Sequence, residues 1–227
     1  NNCTYSNSVN ITSPSPISVS ETITDVSCFG FNDGSVNLSI SGGIPTYTED
    51  WGINNSSALS LGTYNYTVTD NNGCTYTNTV LVSEPSDIQI SSTQNNISTC
   101  GATDGNIDIT TLGGTPPYSF SWSSGQNTED INNLSVGTFV LTVTDANLCT
   151  STHSVTLISP TSPIVSYTQT NTSCNLGTNG SINVSVSGGL NPYQYSWSNG
   201  STSQNISNLS AGIYTLNITD ANNCIVV

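Results

Sequence analysis

At 227 residues the chain is long enough for one large domain or two ordinary ones. It has no Lys or Arg against 14 acidic residues, a net charge of −14, and this excludes nucleic-acid binding, because contacts to phosphate need basic side chains. Lys-based isopeptide crosslinks are excluded for the same reason, and no apolar run approaches the roughly 20 residues that cross a bilayer as a helix.

Residues 1–14 read as the final strand of a preceding repeat, since Cys3 stands in the phase of the later cysteines. The first full copy is 15–84. It carries Cys28, Asp33 and Gly34, then Gly42 and Gly43 with Pro45 and Tyr47, then Trp51, Tyr64, Asp70 and Cys74. Between Trp51 and Gly62 it is four residues shorter than the later copies, and Glu49 stands where they have Phe120 and Tyr195. A buried, unpaired Glu is costly and no cation is present to pair it. Either its strand is therefore expected at a sheet edge, or Glu49 is expected to be solvated or metal-bound.

The second copy, 85–159, shows clear alternation. Ile88 and Ile90 begin one strand, and Ile107 and Ile109 a second. Tyr118, Phe120 and Trp122 mark a third, Phe139, Leu141 and Val143 a fourth, and Val155 and Leu157 a fifth. The third copy, 160–227, repeats this with Ile182, Val184 and Val186, then Tyr193, Tyr195 and Trp197, then Tyr214, Leu216 and Ile218. It stops just after Cys224, without its final strand. Prolines at 14, 16, 85 and 160 make the linkers short and stiff, so the array is expected to behave as a rod.

The later cysteines, Cys3, Cys74, Cys149 and Cys224, recur with a period of roughly 75 residues, and Cys28, Cys100 and Cys174 lie earlier in each period. Seven cysteines with no CxxC and no Cys/His cluster point to disulfides and an oxidising compartment. Equal spacing predicts the bonds Cys28–Cys74, Cys100–Cys149 and Cys174–Cys224, each closing about 50 residues and contributing roughly 4 kcal/mol. Cys3 is left to pair outside the segment or to stay free. The expected core of each copy centres on Trp51, Trp122 and Trp197 with Tyr64, Phe139 and Tyr214. The fold class is all-β: a tandem array of three small immunoglobulin-like β-sandwich repeats, each with one disulfide.

Candidate sites are few. His153 is the only histidine and aligns with Asn78 and Asn7 on a polar strand face, so no base–nucleophile pair is available and no enzyme is expected. Asp33, Asp70, Asp104, Asp145 and Asp220 recur at turns, where Asp caps its own backbone. Calcium, which takes hard oxygen ligands, is the alternative use of the same carboxylates and the one cofactor considered. The Trp and Tyr stripe reads as core packing, with stacking on sugar rings as the alternative. Asn-x-Ser/Thr triplets at Asn10, Asn65, Asn133 and Asn205 are expected by composition.

The Asp/Asn-Gly strand start, the Gly-Gly…Pro-Tyr…Trp run, and the Gly-Thr-(Tyr/Phe)…Thr-Asp-(Ala/Asn)-Asn…Cys run resemble the SprB-type repeat of giant cell-surface adhesins of gliding Bacteroidetes. The resemblance covers residues 33–74, 104–149 and 179–224. It implies export to the bacterial cell surface, a very long parent protein, and a role in attachment, gliding or cell capture, with no catalytic residues carried over. The leading expectation is a stalk segment of a surface adhesin or filament. The alternative is that the repeats themselves bind glycans or cells, with calcium involved. Expected partners are neighbouring repeats of the same chain and identical chains in a lateral homo-oligomer.

Overall fold

The computed structural model describes residues 3–227. Seventeen strands and no helix are assigned among them, in two compact units. The first unit runs up to Gln89 and takes in Leu112–Tyr118 and Thr144–Cys149, and the second is Ile90–Thr111, Ser119–Val143 and Thr150–Val227. These units do not follow the sequence period, because two turns of the second copy are grouped with the first copy.

In the first unit β1 (Ser18–Thr24) pairs antiparallel with β2 (Ser35–Ser41) along its whole length. A second sheet is built from β3 (Thr48–Asp50), β4 (Gly62–Thr69) and β5 (Thr75–Val82), with β4 in the middle. Alternation does the sorting: Tyr66 and Val68 on β4 and Val80 and Val82 on β5 are buried, while Asn65, Thr79 and Leu81 are exposed. Both sheets contribute to one hydrophobic cluster that also takes in Val36, Trp51 and Leu59. Each fully buried side chain of this size contributes about 1.5–3 kcal/mol.

β3 lies at the edge of its sheet and Glu49 is exposed, as the sequence led one to expect. The structure also gives Glu49 a task. In the second and third copies the indole N–H of the buried Trp donates to a backbone carbonyl, Trp122 to Thr128 O at 3.0 Å and Trp197 to Ser203 O at 2.9 Å. The loop that supplies this carbonyl is the one shortened in copy 1. There the Trp51 N–H donates to Glu49 Oε2 at 3.2 Å instead. An unpartnered buried indole N–H is costly, so the shortened loop and the Glu compensate one another.

The chain goes on with β6 (Gln89–Asn95), β7 (Gly105–Leu112), β8 (Ser119–Trp122), β9 (Ile131–Leu134), β10 (Gly137–Thr144) and β11 (Thr150–Leu157). It continues with β12 (Pro163–Thr170), β13 (Gly180–Gly188), β14 (Gln194–Trp197), β15 (Ile206–Leu209), β16 (Leu216–Thr219) and β17 (Ile225–Val226). The sheets are ordered β6-β7-β9 and β11-β10-β8 in copy 2, and β12-β13-β15 and β14-β16-β17 in copy 3. In copy 1 the third strand of the first sheet shrinks to a single bridge, Gly34 to Leu59.

The short strands β9 and β15 have no counterpart in the sequence reading. Their buried residues are three apart, Ile131 with Leu134 and Ile206 with Leu209, and do not alternate. Asn133 and Asn208 adopt φ of 56° and 59°, and the pairing with β7 and β13 shifts register there, so the extra residue is absorbed as a bulge.

Residues 3–14, expected to be a final strand, form none and are exposed; Asn1 and Asn2 lie outside the described residues. In copy 3 the last strand is the two-residue β17. A groove lined by Pro163, Val165, Ile182, Trp197, Gly212 and Tyr214 runs beside it. In copy 1, Val82 pairs with Gly62 and Val80 with Tyr64. Gly212 and Tyr214 are the counterparts of those partners, so the groove is the lane that β5 fills in copy 1.

Candidate functional site: aspartate turns and disulfides between copies

The Thr-Asp-x-Asn-x-Cys stretch of each copy folds as a tight turn around its Asp. The Asp N–H donates to the Cys carbonyl at 3.0, 3.0 and 3.1 Å for Asp70–Cys74, Asp145–Cys149 and Asp220–Cys224. The carboxylate closes the turn from inside. Asp145 Oδ1 accepts the N–H groups of Asn147 and Cys149 at 2.9 Å, and its Oδ2 accepts that of Thr115 at 2.8 Å. Asp70 does the same with Asn72, Cys74 and Ile44, and Asp220 with Asn222, Cys224 and Leu190. All three Asp residues are buried. In a chain without cations, backbone N–H groups take the place of a counterion.

This arrangement explains the Gly-Gly pair. A Cβ on the second Gly would lie 2.8 Å from Asp70 Oδ2 at Gly43, 2.9 Å from Asp145 Oδ2 at Gly114 and 2.7 Å from Asp220 Oδ2 at Gly189. The carbonyl of the first Gly accepts the hydroxyl of the motif Tyr: Tyr47 to Gly42, Tyr118 to Gly113 and Tyr193 to Gly188. The two most conspicuous motifs of each copy are thus two sides of one hydrogen-bonded constellation.

The penultimate turn residue is left-handed in each copy: Gly73 at φ 81°, Leu148 at 68° and Asn223 at 58°. Leu148 is exposed there, and a left-handed Leu costs about 1–2 kcal/mol. Leu148→Gly should therefore raise the stability of copy 2 by about 1 kcal/mol in denaturant melts, the extra chain entropy of Gly offsetting part of the relief.

A second recurrent turn precedes each Asp/Asn-Gly. Asp33 accepts the Ser27 N–H at 3.0 Å and also its hydroxyl, Asp104 does so with Ser98, and Asn179 accepts the Ser173 N–H at 3.1 Å. The pKa of Asp33 is held below its ordinary value by the Ser27 hydroxyl, and that of Asp104 by the Ser98 hydroxyl. Asp70 is lowered chiefly by the Ile44 N–H. Burial pushes Asp220 up, and the N–H groups of Leu190, Cys224 and Asn222 outweigh it, leaving it lowered. Glu21 is lowered by hydrogen bonds from Tyr66 and Asn78.

Between the folded and unfolded pKa values of these groups the unfolded chain binds more protons. Their stabilisation is therefore complete above the ordinary carboxylate range and disappears as the pH falls through the depressed folded values. Stability should decline from about pH 5 downward, read from the denaturant midpoint. Loss of the net charge of −14 works the other way, but spread charges are screened beyond about 8 Å at physiological salt, so the decline should dominate there.

The disulfides correct the sequence reading. None of the expected bonds Cys28–Cys74, Cys100–Cys149 and Cys174–Cys224 is present. Cys28 is bonded to Cys149 and Cys100 to Cys224, with Cα–Cα distances of 5.6 and 4.9 Å and sequence separations of 121 and 124. The early cysteine of one copy is joined to the late cysteine of the next. Within the first unit Asn147 Nδ2 donates to Ser27 O at 3.0 Å, seating the 145–149 turn against the loop that carries Cys28. Within the second, the Cys100 N–H donates to Asn222 O at 2.9 Å. Cys3, Cys74 and Cys174 are unpaired and exposed. Equal spacing misled because a period of one repeat places a late cysteine about 50 residues or about one copy further on equally regularly.

The remaining sequence candidates fall into place. Trp51, Trp122 and Trp197 are buried, whereas Tyr64, Phe139 and Tyr214 are only partly so, and Tyr64 and Tyr214 donate to Ser60 O and Ser210 O. His153 Nε2 lies 3.0 Å from the Ser92 hydroxyl. No group of three His, Cys, Asp or Glu is assembled among the described residues. No described helix is long and apolar enough to cross a membrane.

The geometry defines a class: a tandem all-β repeat in which a buried Asp shapes the turn that is cross-linked to the neighbouring copy. The SprB repeat family matches residues 20–51, 91–127 and 166–202, three SprB repeat matches across the chain, one in each copy. Each match includes the early cysteine and the Gly-Gly motif. No curated protein matches the chain. SprB is a structural repeat and not an enzymatic one, and the three copies suggest a cell-surface adhesin-like repeat region. Repeats and disulfides together are consistent with an extracellular or surface protein.

Proposed function

We propose that the segment is a force-transmitting shaft of a secreted surface adhesin, each copy an immunoglobulin-like β-sandwich. The observation that supports this reading is the disulfide between successive copies. A bond inside a copy would protect only that copy, whereas a bond from copy to copy carries tension along the array. The cluster shared by the two sheets of copy 1 supports the sandwich assignment. Electron microscopy of intact cells labelled with an antibody to this segment tests the proposal. Label along the length of a fibre is the expected result. Label confined to distal tips or to cell–cell contacts would sink the shaft and make the copies themselves adhesive modules.

A further inference from the structure

We infer that Cys74 and Cys174 are the two halves of a further inter-copy disulfide, which another SprB copy completes. The two bonds present define a rule, early cysteine to the late cysteine of the following copy. Under that rule Cys174 takes a late cysteine from a following copy and Cys74 an early cysteine from a preceding one. Neither cysteine has a partner among the described residues, and both are exposed.

Each half is already built in the form its bonded counterparts adopt. The 70–74 turn has the carboxylate core and the Asp N–H to Cys carbonyl bond of the 145–149 and 220–224 turns. The loop at Cys174 matches the loop at Cys28. Phe31 N donates to Cys28 O at 3.1 Å and Gly177 N to Cys174 O at 3.0 Å, and in both the preceding Ser N–H is held by the residue before the Asp/Asn-Gly glycine. Asn72 occupies the position of Asn147, whose amide donates to Ser27 O. In the completed site it would donate to Ser173 O. Donor and acceptor are different surfaces, so joining is heterologous and continues from copy to copy.

The chemistry needs a disulfide oxidant, for which oxidised glutathione suffices. One cysteine thiolate attacks glutathione disulfide and releases one glutathione thiolate. The second cysteine thiolate then attacks the mixed disulfide, forming the protein S–S bond and releasing the other. Two protein thiols are oxidised and one glutathione disulfide is reduced to two glutathiones.

The test uses the 227-residue chain with Cys3→Ser, at high protein concentration in a glutathione redox buffer. Head-to-tail oligomers should appear on non-reducing gels, and peptic mapping should find Cys74 bonded to Cys174, trypsin having no site to cut. With Cys74→Ser or Cys174→Ser added, each variant alone should stay monomeric and the mixture should stop at a dimer. Asn72→Ala should slow joining several-fold. Glutathione-capped monomers, Cys74–Cys74 or Cys174–Cys174 bonds, or single variants that dimerise as readily as the mixture would overturn the inference.

Discussion

Stretching the chain between its ends should show that one disulfide does nearly the work of two. With both bonds closed, the shortest covalent path from Cys28 to Cys224 runs across the first bond, back along residues 149 to 100, and across the second. Only about 50 residues carry the load. Replacing Cys28 and Cys149 with Ala leaves a path through residues 28–100, longer by about 25 residues, or roughly 80 Å at 3.3–3.6 Å per residue. Replacing Cys100 and Cys224 has a similar effect. Removing both bonds exposes roughly 150 additional residues, about 500 Å. The two losses are therefore strongly non-additive, because the closed loops overlap. Bonds confined to single copies would each release about 50 residues independently of the others. Single-molecule extension of the two double variants and the quadruple variant distinguishes the schemes, and equal, additive steps would refute the overlapping arrangement.

Gly113→Ala is expected to destabilise its copy by roughly 3–4 kcal/mol, while Gly188→Ala costs about 1 kcal/mol. Both glycines are left-handed, at φ 77° and 67°. A Cβ at Gly113 would sit 2.0 Å from the Asp87 carbonyl oxygen, and one at Gly42 2.0 Å from that of Pro16. At Gly188 the nearest oxygen, that of Ser162, is 3.3 Å away. The third copy therefore pays mainly the conformational cost, and the others add a backbone clash that no rotamer relieves. Denaturant midpoints of the two variants give the comparison, and equal losses would show that the close approach is not what selects Gly.

The all-β architecture and most strands were legible because Val, Ile and aromatic residues alternate with Ser, Thr and Asn. Glu49 was legible as an edge residue from its charge alone, but its bond to Trp51 depends on a loop four residues shorter than its counterparts. β9 and β15 were hidden because a left-handed Asn inside a strand breaks the period of two. The Asp turns were read correctly as turn chemistry, yet nothing in the spacing links Asp145 to Thr115, some thirty residues earlier. The cysteine pairing was the largest miss. In a repeat protein, periodicity fixes which positions are equivalent but not which copy a position bonds to; that shows only in how each turn seats, Asn147 against Ser27 and Asn222 against Cys100.

That pairing also sets a problem of timing for the cell. Cys28 leaves the ribosome 121 residues before its partner, a delay on the order of 10 s at 5–20 residues per second. Cys74 and Cys100 emerge first and are nearer along the chain. Oxidation in order of appearance would join Cys28 to Cys3 or to Cys74 and leave Cys149 to the wrong copy. Correct bonding thus requires either that oxidation wait for the next copy to fold, or that wrong bonds be reshuffled by thiol–disulfide exchange. An array of this kind is closed one step behind its own synthesis, each copy becoming permanent only when its successor has arrived.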